Sequence, residues 1–243
     1  MSNEMNKKLT FGALAAIASL SLYSCQQPAA PAATAEAATP TVTNESLLQI
    51  VEDLPTTQAF LKDPIPDADI QRIVNAGINA PSAMNKQPWH FTVVSNAELI
   101  QQMAQDQQAA MKKMQMPPKD APKAGEGDKP KPPTSKGPKS AMGDSPVVIV
   151  ISCAEGSELD AGLACESMND MANLLGYGTK IASSPSIYLN GENKAAYYEK
   201  LQIPEGQRVV TVLLLGKINT ELYDAKTAAT PRNPKEQVVS FVK

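Results

Sequence analysis

A run of uncharged hydrogen-bonding side chains occurs where a proline-rich turn leads into an apolar segment. Ser82, Asn85 and Gln87 lie within six residues of one another, and Pro88 and Trp89 follow directly. One hydroxyl and two amides supply hydrogen-bond donors and acceptors without net charge. This set suits recognition of the edge of a polar heterocycle. The same groups could instead satisfy loop backbone, so the residue types alone leave both interpretations open.

The sequence has few other residues or motifs suited to catalysis or to metal binding. His90 is the single histidine of the chain, and it enters a predicted strand directly after Trp89, which favours a half-buried structural role over a catalytic one. The chain has three cysteines but no CxxC pair, and it has no HExxH motif. The sequence therefore predicts no protein-ligated metal site. Cys153 and Cys165 are interpreted as buried thiols, although the sequence leaves a disulfide between them open.

The N-terminus has the pattern of an export signal. Lys7 and Lys8 precede an apolar run over residues 9–22, too short to span a hydrocarbon core of about 30 Å comfortably. The run ends in Leu-Tyr-Ser-Cys at Cys25 and resembles a bacterial lipoprotein signal, in which that cysteine is acylated. We expect residues 1–24 to be a signal peptide and the protein to be lipid-anchored, extracytoplasmic and part of the cell envelope. An ordinary cleaved signal with an incidental cysteine is the alternative.

Composition divides the remaining chain into a tether and one domain. Residues 25–43 are rich in Ala, Pro and Thr, as in a flexible spacer, and residues 44–243 are long enough for one core. Within that domain, residues 115–141 are rich in lysine and proline and predict a mobile insertion, either a lid or a solvated loop. The formal net charge is only −3, so we expect no nucleic acid partner.

Hydrophobic periodicity predicts helices alternating with strands and hence an α+β or α/β layered domain. Asn44, Asn96 and Asp160 are expected to open helices. The last of these should turn Leu163, Met168, Met171, Ala172 and Leu175 inward and end at Gly176 and Gly178. Further helices are predicted over residues 68–76 and 193–201. The predicted strands cover residues 91–94, 147–151, 187–189 and 209–215.

Several segments, in order along the chain, resemble the FMN-dependent nitroreductase family. The resemblance covers about residues 45–240 and rests on segments 80–91, 160–164, 175–179, 203–210, 215–216 and 231–234. It implies an α+β fold with a central sheet flanked by helices. It also implies an intertwined homodimer that binds FMN in clefts between its two chains.

The resemblance also assigns roles to residues. Ser82, Asn85 and Gln87 match positions that hydrogen-bond the flavin ring or its ribityl chain. Gly178 and Thr179 match a loop whose backbone lies beside the reactive edge of the ring, where a missing Cβ permits close approach. Arg232 matches a position that helps hold the FMN phosphate. Because the flavin carries the redox chemistry, no catalytic side chain of the protein is expected.

One departure from the family pattern concerns the phosphate. The family opens with an Arg-Arg-Ser-x-Arg run, where this chain has Leu-Pro-Thr-Thr-Gln over residues 54–58. Losing two charge-assisted hydrogen bonds would weaken FMN binding by about 10² to 10⁴. Thr56 and Gln58 could still donate hydrogen bonds to a phosphate. The cations that could compensate are Lys62, Lys180, Arg232 and Lys235.

The leading hypothesis is a membrane-tethered FMN oxidoreductase that reduces nitroaromatic, quinone or similar small-molecule acceptors by two-electron ping-pong transfer. NAD(P)H is a possible donor, but an extracytoplasmic domain has little access to it, so a quinol or redox protein is an alternative. The rival is a non-enzymatic binding lipoprotein that kept the scaffold and lost tight FMN binding. A weaker third hypothesis is another flavin chemistry, such as reductive dehalogenation.

Overall fold

The computed structural model describes residues 44–52, 56–115, 141–222 and 232–242. The predicted signal peptide, Cys25 and the tether lie outside the described residues, as do residues 116–140 of the predicted insertion. All described residues belong to one compact unit, residues 42–243. Within the described ranges, no helix is both long enough and apolar enough to cross a membrane.

A four-stranded antiparallel sheet forms the centre of the domain. The strands are β1 (Trp89–Val94), β2 (Val147–Ala154), β3 (Gly178–Ala182) and β4 (Gln207–Gly216), in the order β1-β2-β4-β3. The inner strand β2 is buried along all but its last residue, because its continuous apolar sequence packs on both faces of the sheet. The predicted strands over residues 91–94, 147–151 and 209–215 are confirmed.

Helices cover both faces of this sheet. One face packs against α2 (Asp67–Ile78) and α5 (Glu158–Leu174). The other packs against α3 (Ala97–Gln115), α4 (Ala141–Asp144), α6 (Ser184–Leu189) and α7 (Lys194–Lys200). Alternate residues of β2 point to the two cores, with Ile149 on the α5 side and Val150 on the α3 side. The α+β fold with a central sheet flanked by helices is thereby confirmed. Two further helices are α1 (Asn44–Glu52) and α8 (Lys235–Val238).

The predicted strand over residues 187–189 is wrong, because these residues end helix α6. Pro185 occupies the first turn of α6, where its missing N–H costs nothing and its fixed φ suits a helix. Tyr188 and Leu189 are buried while Ile187 is 52% exposed, as one side of a helix requires. An apolar run of three residues is too short for periodicity to separate a strand from a helix.

Helix α5 begins earlier than predicted. Its first residue is Glu158, so Asp160 lies in the first turn instead of capping the helix. The Asp160 carboxylate accepts a hydrogen bond from the backbone N–H of Ala83, at 3.1 Å, and so serves a distant loop. Leu163, predicted to point inward, is 40% exposed. At α3 the predicted cap is confirmed, since the Leu99 N–H donates to Asn96 Oδ1 at 3.0 Å.

Cys153 and Cys165 are both free thiols and both lie in the core between the sheet and α5. Burial raises the pKa of the Cys165 thiol to about 12. A thiol is nucleophilic only as the thiolate, so Cys165 is held in its inert form at neutral pH.

Candidate functional site

The loop before β1 has an unusual backbone. Met84, Asn85 and Gln87 have φ values of 53°, 55° and 48°, in the left-handed region that non-glycine residues seldom adopt. A short 3-10 turn over Ala83–Asn85 contains two of them. Backbone held in this region costs free energy, and such residues concentrate at ligand sites and switch regions.

Hydrogen bonds from within the loop hold this conformation. Ser82 Oγ accepts from the backbone N–H of Gln87 at 3.0 Å, and Gln87 Nε2 donates to Asn85 Oδ1 at 3.1 Å. The bond from Ala83 to Asp160 joins the loop to the first turn of α5. Ser82 is half-buried, whereas Asn85 and Gln87 are exposed. The structure therefore brings the three predicted residues into one group, which we call the loop cluster (Ser82, Asn85 and Gln87).

A second group of predicted residues lies at the start of β3. Residues expected to form a loop are instead the first residues of this edge strand, paired with Leu215 and Gly216 of β4. The Thr57 N–H donates to the Thr179 carbonyl at 2.8 Å, which brings residues 56–58 alongside. We call this group the strand cluster (Thr57, Gln58, Gly178, Thr179 and Lys180).

The Thr179 side chain is buried and points towards helix α5. It is 2% exposed, and its hydroxyl donates to Asn169 Oδ1 at 2.6 Å and accepts from Asn173 Nδ2 at 3.0 Å. Both asparagines belong to the last turns of α5. The hydroxyl thus ties β3 to α5, and a ligand in this place would meet Thr179 through its backbone.

Gly178 is required by the packing of its own chain. A Cβ on this residue would lie 2.5 Å from both Thr57 Oγ1 and Ile218 Cγ1, well inside van der Waals contact. The resemblance explains this glycine by close approach to a flavin ring. In the structure the close approach is made by Thr57 and Ile218.

Thr57 was missing from the predicted site, and Lys180 was considered only as one of four cations that could compensate for the missing arginines. Lys180 Nζ donates to Gln58 Oε1 at 2.6 Å, and burial lowers the pKa of this lysine. Thr57 is fully buried, and its Oγ1 has no hydrogen-bond partner among the described residues. A prediction of residues 178–182 as a strand would have pointed to Lys180. Residues two apart in a strand face the same side, so Lys180 shares a face with Gly178, which packs against Thr57.

The loop and strand clusters lie near opposite ends of α5. Asp160 contacts the first cluster, whereas Asn169 and Asn173 contact the second. With a rise of 1.5 Å per residue, these contacts are about 14–20 Å apart along the helix axis. One chain therefore does not bring all the predicted residues together.

The remaining predicted residues lie elsewhere. Arg232 is exposed and makes no hydrogen bond or salt bridge with another described residue. Lys62 hydrogen-bonds the Gly143 carbonyl and lies 3.6 Å from the Asp144 carboxylate, and Lys235 lies over the ring of Phe241. Of the four cations considered for the phosphate, only Lys180 belongs to either cluster.

His90 is half-buried in β1 opposite Ser152. The described ranges contain no group of three or more His, Cys, Asp or Glu residues suited to a metal.

Comparison with known proteins decides the family. The model of the nitroreductase family matches residues 55–217, about two thirds of the chain. The chain belongs to the nitroreductase family. Both clusters lie within the matched residues, whereas Arg232 lies beyond them. The membership agrees with the fold expected from the sequence.

Solved nitroreductases share this fold. A nitroreductase of Desulfitobacterium hafniense with bound FMN is 22% identical, with a TM-score of 0.63, and the match covers 83% of this chain and 100% of that one. A nitroreductase of Bacteroides fragilis with bound FMN is 19% identical, with a TM-score of 0.62 and the same coverage. At these identities the likeness establishes the fold alone.

A curated relative shares a shorter segment. A protein of Archaeoglobus fulgidus, provisionally named NADH dehydrogenase/NAD(P)H nitroreductase, is 36% identical over 61 residues. The match covers 25% of this chain and 35% of that protein. This chain therefore spans about a third of the relative's length.

Proposed function

We propose that this protein is an FMN-dependent oxidoreductase that reduces nitroaromatic, quinone or similar small-molecule acceptors. The observation that carries the proposal is the loop cluster. Its backbone is held in a costly conformation, and it presents neutral amides at the surface instead of burying them. Membership of the nitroreductase family and FMN in structures of the same fold support this function.

The chain's own residues fit a flavin. Asn85 and Gln87 supply uncharged donors and acceptors for the ring edge, and the half-buried Ser82 holds their loop. The strand cluster adds the backbone of Gly178 and Thr179, and the hydroxyl of Thr57, which has no hydrogen-bond partner among the described residues. FMN, when bound, supplies hydride and two-electron chemistry, which side chains lack. The residues of the chain would bind and orient the flavin and exclude water from it, and no side chain is assigned as a catalytic acid or base.

We further propose that the flavin site is completed by a second copy of the chain. The loop and strand clusters are separated along α5, so a cleft between two chains would place the loop cluster of one against the strand cluster of the other. The exposed apolar residues Met84 and Leu159, 82% and 77% exposed, lie beside the contact between the loop and α5 and would be covered in such a homodimer. Arg232 would hold the phosphate.

A flavin titration tests this function. The domain from residue 26 onward should bind FMN with sub-micromolar affinity and show a flavin absorbance band near about 450 nm.

If Arg232 contacts the phosphate, Arg232→Ala should weaken FMN binding by about tenfold or more, since one charged contact is lost. Unchanged affinity would remove Arg232 from the site. NADH, NADPH and a quinol should then be compared as donors.

The rival function would be revealed by the same titration. A colourless protein that binds neither FMN nor riboflavin would support a non-enzymatic binding lipoprotein on this scaffold. The observation that favours it is the loss of the arginine run, since residues 56–58 carry no charge.

We propose in addition that Cys25 is acylated and anchors the domain to a membrane of the cell envelope, on the extracytoplasmic side. The order of basic, apolar and small residues before Cys25 supports this localisation. Cys25→Ala expressed in a bacterium should move the protein from the detergent phase to the aqueous phase of a detergent partition experiment. Partition identical to wild type would contradict the lipid anchor.

A further inference from the structure

Lys180 carries a positive charge that no carboxylate among the described residues neutralises. It is half-buried, and its Nζ donates to the neutral amide oxygen of Gln58 at 2.6 Å. No carboxylate in the described ranges lies within the 4.0 Å of Nζ that defines a salt bridge. Burial alone lowers the pKa of this lysine. Charges withdrawn from water are normally paired, so an uncompensated cation at this depth indicates a place for an anion.

A second observation at the same end of β3 also indicates a missing polar partner. Thr57, the neighbour of Gln58, is fully buried, and its Oγ1 has no hydrogen-bond partner among the described residues. That oxygen lies 2.5 Å from the position that a Cβ on Gly178 would take. Gly178 and Lys180 are two residues apart in the strand, so their side-chain directions share one face. The unpaired hydroxyl and the uncompensated cation therefore lie on the same face of β3.

We infer that Lys180 and Gln58 form an anion subsite that takes the phosphate monoester of the flavin. Lys180 supplies the charge. Gln58 is a positioning residue that fixes the ammonium group by a hydrogen bond and, being neutral, leaves its charge for the ligand. This inference rests on the proposed function and makes it specific, because it adds Lys180 to Arg232 as a cation that selects FMN over riboflavin. It also gives the phosphate a cation in a chain without the N-terminal arginine run.

The chemistry of Lys180 and Gln58 suits a phosphate better than a carboxylate, because a carboxylate is bound best by the planar, forked guanidinium group of an arginine. An ammonium group is a compact point charge with three rotatable donors, and it binds phosphate without the forked geometry of arginine. Residues 56–58 add hydroxyl and amide groups but no acid, so nothing in that segment repels a doubly charged group.

Two variants test the inference by titration with FMN and riboflavin. Lys180→Met keeps most of the apolar stem and removes the charge. It should weaken FMN binding by about tenfold to a hundredfold and change riboflavin affinity by less than about twofold. Gln58→Glu places a carboxylate where Lys180 already donates. It should lower FMN affinity to a similar extent, because the charge is then neutralised within the protein.

The Gln58→Glu variant also separates a binding role from a structural one. Its melting temperature without flavin should equal or exceed that of wild type, since the ammonium group of Lys180 is then paired with a carboxylate instead of a neutral amide oxygen. Lys113→Met is the matched control. Lys113 is an exposed lysine paired at 3.9 Å with Glu192, and its loss should leave both flavin affinities unchanged.

The outcomes are distinct. Weaker FMN binding with unchanged riboflavin binding in both variants supports the subsite. Wild-type FMN affinity in folded Lys180→Met or Gln58→Glu protein overturns the subsite and leaves the proposed function standing. Failure of wild-type protein to bind either flavin overturns the proposed function and the subsite together.

Discussion

Two flavin-binding variants that are each defective should restore binding when they are mixed. We expect Asn85→Gly and Lys180→Met homodimers each to bind FMN weakly, and dissociated and reassociated mixtures of them to regain sites of wild-type affinity. Each site would use the loop cluster of one chain and the strand cluster of the other, so a mixed dimer has one intact site and one doubly altered site. Random reassociation gives about half mixed dimers, and hence about a quarter of all sites intact.

The choice of variants keeps the fold intact. Glycine at position 85 removes the amide and retains the left-handed backbone, which has φ of 55° at Asn85. Bound flavin is measured by absorbance at an FMN concentration between the wild-type and variant dissociation constants. A mixture of Asn85→Gly and Gln87→Ala is the control, because both changes affect the same cluster and a mixed dimer then has no intact site. If Asn85→Gly and Lys180→Met mixtures behave like this control, the two clusters do not meet across a dimer.

The same glycine-to-alanine change should have opposite effects at two positions. Gly178→Ala should lower the free energy of unfolding by about 1–3 kcal/mol or more, as overpacking does in other cores. Its new methyl group would lie 2.5 Å from Thr57 Oγ1 and Ile218 Cγ1, and 3.0 Å from Thr57 Cγ2. Thr57 is fully buried and its backbone is bonded to Thr179, so it cannot withdraw freely.

Gly162→Ala is the matched substitution within helix α5. Beyond the neighbouring backbone of its own helix, a Cβ on Gly162 meets no atom of the described residues within 4 Å, and alanine is favoured over glycine in a helix by roughly 0.5–1 kcal/mol. Its free energy of unfolding should therefore rise. Urea denaturation of the flavin-free proteins, followed by circular dichroism, measures both changes. Equal stability of Gly178→Ala and wild type would contradict the packing at β3, and destabilisation by Gly162→Ala would place a second chain against α5.

Local patterns of apolar residues in the sequence predict much of the central sheet and its helices. Strands β2 and β4 are long apolar runs whose burial on both faces needs no knowledge of their partners. Apolar spacing predicted helices α2, α3 and α7, and Asn96 caps α3. The bounds of α2 and α7 differ from expectation by one or two residues. The loop cluster was also accessible, because Ser82, Asn85 and Gln87 lie close in sequence and bond to one another.

Where local signals were short, they were ambiguous. Residues 187–189 are apolar enough for a strand, and Pro185 alone indicates a helix. Strand β3 has a glycine and a lysine among its five residues, and it exists because it pairs with the edge of β4. Such pairing is a long-range interaction, so the sequence of the segment does not contain it.

What the sequence determined by itself is the layered α+β core and the group of neutral side chains before β1, because both depend on residues near one another in the chain. Only the tertiary structure decided how the candidate site is assembled. It placed the loop cluster and the strand cluster near opposite ends of α5, and it joined Lys180 to Gln58 across 122 positions of the chain. Burial and charge compensation depend on which residues meet in space, so this choice among the lysines required the folded chain.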